Sequence, residues 1–258
     1  MKPVIVMPFH DPDGLMLAHL STITSQLKRI FERAFVSMTH LTRQQQPELV
    51  DRLGQDDFFH LVYPQAYTQV GEQFLALYKT AAATCSPDQL LHLCFIDRVA
   101  FALQSDYRAR FVQDLQTVSA DETPLLFQRS ETAWLTHPQN YREIEHMVTR
   151  VGELLFGRTL DFAWCHLVLK TRHLREAVPH ITRKDLSVLA EVLVVHRDAV
   201  RTRDVDWLAW EDPFILGQDA DLLRADREND VQEVYKRLSY VLPKLQVLAE
   251  AAGRQSER

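Results

Sequence analysis

Val4-Ile5-Val6-Met7-Pro8-Phe9 is followed by His10-Asp11-Pro12-Asp13-Gly14, and then by apolar residues at Leu17, Leu20, Ile23, Leu27 and Ile30. The first run is short, continuous and apolar, the pattern of a strand buried on both faces. The second is polar and turn-forming, and the third has the spacing of one helical face. A further apolar run, Ala34-Phe35-Val36-Ser37-Met38, breaks the 3.6-residue period. The chain therefore opens as strand, helix, strand. That order predicts an α/β fold, a Rossmann-like, mostly parallel sheet flanked by helices.

The alternation continues outward from this start. Residues 58–63 form a third apolar run, before a helix whose buried stripe is Phe74, Leu77, Tyr78, Ala81 and Cys85. Residues 90–96 read as the fourth strand, and Tyr107, Phe111, Leu115 and Val118 as the next helix, capped by Ser105 or Asp106. Residues 124–128 read as a strand, and Ile144, Met147, Val151, Leu154 and Leu155 as a helix ending at Gly157. An apolar run at 162–169 and a helical stripe at Leu186, Leu189, Leu193 and His196 follow. These pieces make one domain over residues 1–220.

Residues 221–258 read as a C-terminal helical extension. Its apolar residues, Val231, Val234, Leu238, Val241, Leu245 and Leu248, are spaced as a narrow helix-helix seam. Such a seam packs on its own domain, on a second copy in a homodimer, or on a membrane surface. Pro243 removes one helical hydrogen bond and crowds the preceding turn, which predicts a kink or two shorter helices. The last residues, 253–258, are expected to fray.

Composition narrows the function classes. Lys+Arg 29 against Asp+Glu 35 gives a net charge of −6, so no general basic field attracts a phosphate backbone, and nucleic acid is a poor partner. Cys85, Cys94 and Cys165 are too few and too irregular for a disulfide framework or a thiolate zinc site, and are expected as core thiols of a cytoplasmic protein. No apolar stretch reaches the length of a membrane span, and none has the form of a secretory leader. With only 7 glycines, the chain has neither a P-loop nor a G-x-G-x-x-G fingerprint, which sets aside the usual kinase, ATPase and dehydrogenase readings. Zinc-hydrolase and serine-hydrolase signatures are also missing.

In an open α/β sheet, polar residues just after strands face the shared crevice. Three clusters qualify. His10-Asp11-Pro12-Asp13-Gly14 could meet a base, a ribose or a metal, although Asp11 or Asp13 would equally cap the first helix. Asp97-Arg98 follows the fourth strand, where a carboxylate is either a ligand contact or half of an ion pair. Trp207-Leu208-Ala209-Trp210-Glu211-Asp212-Pro213-Phe214 gathers two aromatic faces and two acids in a loop, a combination suited to sugars, and tryptophans also anchor loops to cores.

The order M-P-F-H-D-P-D-G, then Tyr67-Thr68-Gln69-Val70-Gly71, then Phe74-x-x-Leu77-Tyr78-x-x-Ala81-Ala82, L-L-H-L-C-F-I-D and S-D-Y-x-x-x-F-V-x-D-L resembles the GT-A nucleotide-sugar glycosyltransferases, family-2-like members above all. The resemblance covers about residues 3–130 and continues to about 215. It implies transfer of a sugar from a nucleotide-diphosphate donor to a hydroxyl acceptor. It places the nucleobase on the segment 6–13, hence Pro8, Phe9, His10 and Asp11, and makes Asp97 the first aspartate of a D-x-D signature that holds Mn²⁺ or Mg²⁺. The second signature position is Val99, which has no oxygen to give a metal. Val70-Gly71-Glu72 stands where such enzymes place a basic residue, leaving Arg98 to meet phosphate directly. For the catalytic base the late acids are Glu211, Asp212 and Asp185. Glu191 reads better as an ion-pair partner, and Trp210 would offer its face to the sugar. The incomplete signature equally fits a degenerate GT-A-like protein that binds a nucleotide-sugar, or serves assembly, without transfer.

Overall fold

In the computed structural model, residues 2–65, 68–164 and 166–256 are described; Tyr67 and Cys165, singled out above, lie outside the described residues. The first part of the chain runs β1 (Val4–Phe9), α1 (Leu15–Ile30), β2 (Ala34–Met38), α2 (His40–Gln45), α3 (Pro47–Gly54), β3 (Phe59–Val62), α4 (Val70–Thr84) and β4 (Leu90–Cys94). It continues with α5 (Ile96–Gln104), α6 (Arg108–Gln116), β5 (Leu125–Arg129), α7 (Glu131–Thr136), α8 (Gln139–Phe156) and β6 (His166–Lys170). The last part is α9 (Thr171–Ala177), α10 (Val188–His196), β7 (Arg201–Val205), α11 (Asp212–Leu216), α12 (Ala220–Asn229) and α13 (Val231–Ser256).

The seven strands form one sheet in the order β3-β2-β1-β4-β6-β5-β7. All neighbours pair in parallel except at β6, which is antiparallel to both β4 and β5. The mostly parallel α/β sheet is therefore present with one reversed strand. Apolar side chains fill both faces: Val6, Leu91, Leu93 and Leu167 meet α4, α8 and α10 on one side, while Ile5, Met7, Val36 and Phe127 meet α1, α5 and α6 on the other. Burial on both faces is what the unbroken apolar runs of β1 and β2 require.

Two local expectations are corrected. The fourth strand stops at Cys94, and Ile96 already opens α5 where a loop was expected. Ile96, Val99, Ala100 and Leu103 recur at helical spacing and bury against the α1 side of the sheet, so the apolar run had continued from strand into helix unmarked. At the other end of the chain, α13 runs unbroken through Pro243 instead of dividing there. The Lys244 ammonium donates to the Tyr240 carbonyl at 3.1 Å, within the turn that the proline disturbs. Val241 and Leu248 of the expected seam are buried in the chain's own core beside α8 and α10, while Val231 at its start is exposed. No helix among the described residues is long and apolar enough to cross a membrane.

Candidate functional site

The carboxyl ends of β1, β2 and β4 enclose a cleft. Its floor is fixed by Gln73, a buried side chain of α4 whose amide donates to the carbonyls of Phe9 at 2.8 Å and Ser37 at 3.1 Å. One compartment of about 190 Å³ is lined by Pro8, Phe9, His10, Phe95, Asp97 and Leu186, among others. A second, of about 460 Å³, adjoins it through His10, Val70 and Gln73, and is completed by Thr39, His40 and Thr68. His10 is exposed, and its Nδ1 shares a hydrogen bond of 3.0 Å with the Thr39 hydroxyl. Pro8, Phe9, His10 and Asp97 thus meet at one cavity.

Asp11 stands apart from them. It is buried, and its carboxylate accepts the Leu17 N–H at 2.8 Å, so it caps α1 from six residues upstream. Gly14 makes the turn between them with φ 78, and a Cβ there would lie 2.8 Å from the Gln46 side chain. Glycine suits that position on both counts.

Asp97 occupies the first turn of α5, where its carboxylate accepts the Arg98 N–H at 2.7 Å. Arg98 turns the other way. Its guanidinium is buried and pairs with Glu211, with the Ala209 carbonyl at 3.3 Å and His137 Nε2 at 3.4 Å. The 207–212 segment is thereby clamped to the carboxyl end of β4, and Arg98 is committed inside the protein.

Burial raises the Glu211 pKa to about 8, with Asp97 and Asp212 adding to the rise against the pull of Arg98. Burial also raises Asp97; Arg98 opposes that shift and Asp212 adds to it. The three acids therefore interact as a group, and Asp212, half-buried at the start of α11, is the one more open to solvent than Glu211. Both tryptophans of the segment are buried. Trp207 packs edge-on against Phe111 at 4.9 Å and donates its indole N–H to Asp114 at 3.0 Å; Trp210 is 6% exposed, with its indole nitrogen unpartnered.

The remaining acids are engaged elsewhere. Asp185 accepts the Ser187 N–H at 2.8 Å and its O–H at 2.5 Å, beside the Leu186 that lines the cleft. Glu191 accepts the N–H and O–H of Thr182 and the N–H of Arg183, ordering that loop. The same loop crosses the start of α4 so closely that a Cβ on Gly71 would lie 2.6 Å from the Arg183 carbonyl oxygen. Lys184 reaches Glu72 there at 2.9 Å, bringing a basic group to the α4 N-terminus from elsewhere in the chain.

A hard divalent cation does not fit the donors at Asp97. Mg²⁺ or Mn²⁺ needs several oxygen ligands, whereas Val99 is fully buried on α5 and Glu211 is held by Arg98. Among the described residues, the His, Cys, Asp and Glu donors close enough to share an ion are His92, Cys94 and His166. Position in sequence gave no hint of that cluster, because His166 reaches Cys94 only through the antiparallel β4-β6 register.

No protein-family model matches the chain, and no curated protein matches it. It is similar to a solved structure described as a mycobacterial protein, with a TM-score of 0.45 and 13% identity over 87% of this chain and 75% of that one.

Proposed function

We propose that the protein is a GT-A-type glycosyltransferase that seats a nucleotide-sugar in the cleft at the ends of β1, β2 and β4. The supporting observation is convergence: His10 and Asp97 line one cavity, and Asp97 in turn interacts electrostatically with Glu211 and Asp212. A donor pocket and a late pair of acids are the two parts that glycosyl transfer to a hydroxyl requires. In this reading, the two compartments around His10, Thr39 and Gln73 hold the nucleoside, Asp97 accepts hydrogen bonds from donor hydroxyls, and Asp212 takes the acceptor's proton. Glu211 serves by holding Arg98 and the 207–212 segment. Diphosphate charge is met by backbone N–H groups, with no metal in the scheme.

A second reading is favoured by one observation: neither compartment is lined by Lys or Arg. A leaving diphosphate needs cationic or metal help, so the same cleft would suit a protein that binds the nucleotide-sugar and does not cleave it.

A thermal-shift series with UDP-, GDP-, CDP- and dTDP-sugars, with and without Mn²⁺, tests the shared premise. At 100 times its Kd, a ligand stabilises by about 2.7 kcal/mol, equivalent to roughly 5–10 °C for a chain of this size. One nucleotide family should give that shift, with Mn²⁺ adding nothing, and Asp97→Asn should abolish it while leaving the unliganded Tm within about 2 °C. Release of free nucleoside diphosphate by the wild type, lost in Asp212→Asn by at least about 10²-fold, supports transfer; binding without release supports the second reading. Absence of any shift rejects both.

A further inference from the structure

We propose that His92, Cys94 and His166 form a buried site for one soft monovalent metal ion, Cu(I). The inference is independent of the nucleotide cleft. Alternation along β4 puts His92 and Cys94 on one face of the sheet, and the antiparallel register sets His166 directly opposite Cys94 on that same face. One donor atom from each of the three lies within 4.8 Å of the others, and the residues are 0%, 3% and 0% exposed.

The imidazoles are poorly provided for as simple core residues. His92 Nε2 and His166 Nδ1 share a hydrogen bond of 2.9 Å, while His92 Nδ1 and His166 Nε2 are buried with no partner. Their surroundings are aromatic: Phe31 and Phe127 beside His92, Phe111 and Trp207 beside His166. The facing nitrogens, which now have only each other, are the pair that can meet an ion together with the Cys94 sulfur, and the far nitrogens are unpartnered with or without it.

Charge selects the ion. A ligating imidazole is neutral and a ligating cysteine is a thiolate. Two neutral imidazoles and one thiolate leave a net charge of zero around Cu(I), but +1 around Zn²⁺ or Cu²⁺. Among the described residues, the rings that flank the two histidines, Phe31, Phe127, Phe111 and Trp207, carry no charge to balance that excess. Nitrogen and thiolate donors in a three-coordinate set also suit a soft ion.

Binding takes a defined course. Cys94 loses its thiol proton to solvent as sulfur bonds the ion. The His92–His166 hydrogen bond breaks; the ring that donated it gives that proton to solvent and takes one up on its far nitrogen, so both facing nitrogens turn lone pairs to the metal and each neutral ring ends with its proton on the far nitrogen. Metal-donor bonds of about 2.0–2.3 Å place three trigonal donors roughly 3.5–3.7 Å apart, so the histidine pair opens by somewhat under 1 Å. Because all three side chains are enclosed, the ion is loaded as the chain folds.

The test uses the full chain, unfolded and refolded under anaerobic conditions with one equivalent of Cu(I) supplied as its acetonitrile complex, then passed through excess bathocuproine disulfonate. One equivalent of copper should remain, X-ray absorption should show one sulfur and two nitrogen neighbours, and Tm should rise by at least about 5 °C. Cys94→Ser should lose the copper, whereas Cys85→Ser, altered in the core on the opposite face of the sheet, should keep it. Should Cys94→Ser fail to refold, the wild-type absorption spectrum and Tm decide alone. Less than a tenth of an equivalent retained by natively refolded protein, a copper site without sulfur, or equal retention of Zn²⁺ from the same protocol would overturn the proposal.

Discussion

Glu211 and Arg98 show how one buried pair can bind a segment to the sheet and also make the protein pH-sensitive. The Glu211 carboxyl has its pKa raised in the folded chain, chiefly by burial, to about 8 against an ordinary 4.5. Below 4.5 it is protonated both folded and unfolded, and its contribution to stability is complete. As pH rises toward 8, the unfolded chain releases this proton first, so that contribution falls and is lost once the folded pKa is passed. Buried histidines with lowered pKa, His92, His137 and His166 among them, add stability as pH rises to about 6.5, so the Glu211 effect is read above that range: urea midpoints measured from pH 7 to pH 8.5 should decline, and Glu211→Gln, which does not titrate, should remove most of that decline. An equal decline in the variant would place its origin elsewhere. That His10 and Asp97 would lie together at strand ends was legible because each follows an apolar run, and they do line one cavity. The Arg98–Glu211 contact was not, because packing alone brings together residues that far apart in sequence, and neither residue carries a mark of its partner.

Elements differ in how openly they are written in the chain. β1 and β2 match their apolar runs residue for residue, because burial on both faces leaves no polar position to blur the pattern. β7, Arg201-Thr202-Arg203-Asp204-Val205, pairs only with β5 at the edge of the sheet and buries Val205 alone, so no apolar run announces it. α5 was hidden for the opposite reason, an apolar run too long rather than too short. The antiparallel sense of β6 was likewise unwritten, and with it the meeting of His166 with Cys94. α13 makes an element-scale prediction. An interior proline costs about 3 kcal/mol in an ordinary helix, because the Ser239 carbonyl loses its helical donor and is crowded by the ring. Pro243→Ala should therefore raise stability by about 1–3 kcal/mol in chemical denaturation. Loss of stability would mean instead that the proline ring itself contributes to seating α13 on α8.

At the scale of the whole molecule, buried charge reinforces the apolar packing that already joins the sheet, α8 and α13. Arg129, at the carboxyl end of β5, forks to Asp161 at 2.8 Å and 3.0 Å, reaches Glu145 of α8 at 2.6 Å and stacks over Trp134 at 3.5 Å. Glu145 also accepts from Arg237 of α13 at 2.9 Å, so sheet, α8 and the C-terminal helix share one chain of ions. Burial would raise the Glu145 pKa, but Arg129 and Arg237 outweigh it and hold it down at about 2. Its stabilisation is therefore present above its ordinary 4.5 and is lost as pH falls toward 2. Removing one partner strands the others in a dry interior, which typically costs about 3–5 kcal/mol. Arg129→Met should accordingly lower Tm by roughly 6–20 °C at pH 7, and lose less further stability than the wild type between pH 4.5 and 2.5. Because Glu145 would then hold Arg237 less firmly, amide exchange should rise in α13 as well as around β5. The exposed pair Arg150–Glu153, also on α8 at 2.5 Å, supplies the contrast. Arg150→Met should change stability by under about 1 kcal/mol, because water already solvates both charges. Equal effects from the two substitutions would show that α13 is held by its apolar face alone, with the ion chain a passenger on it.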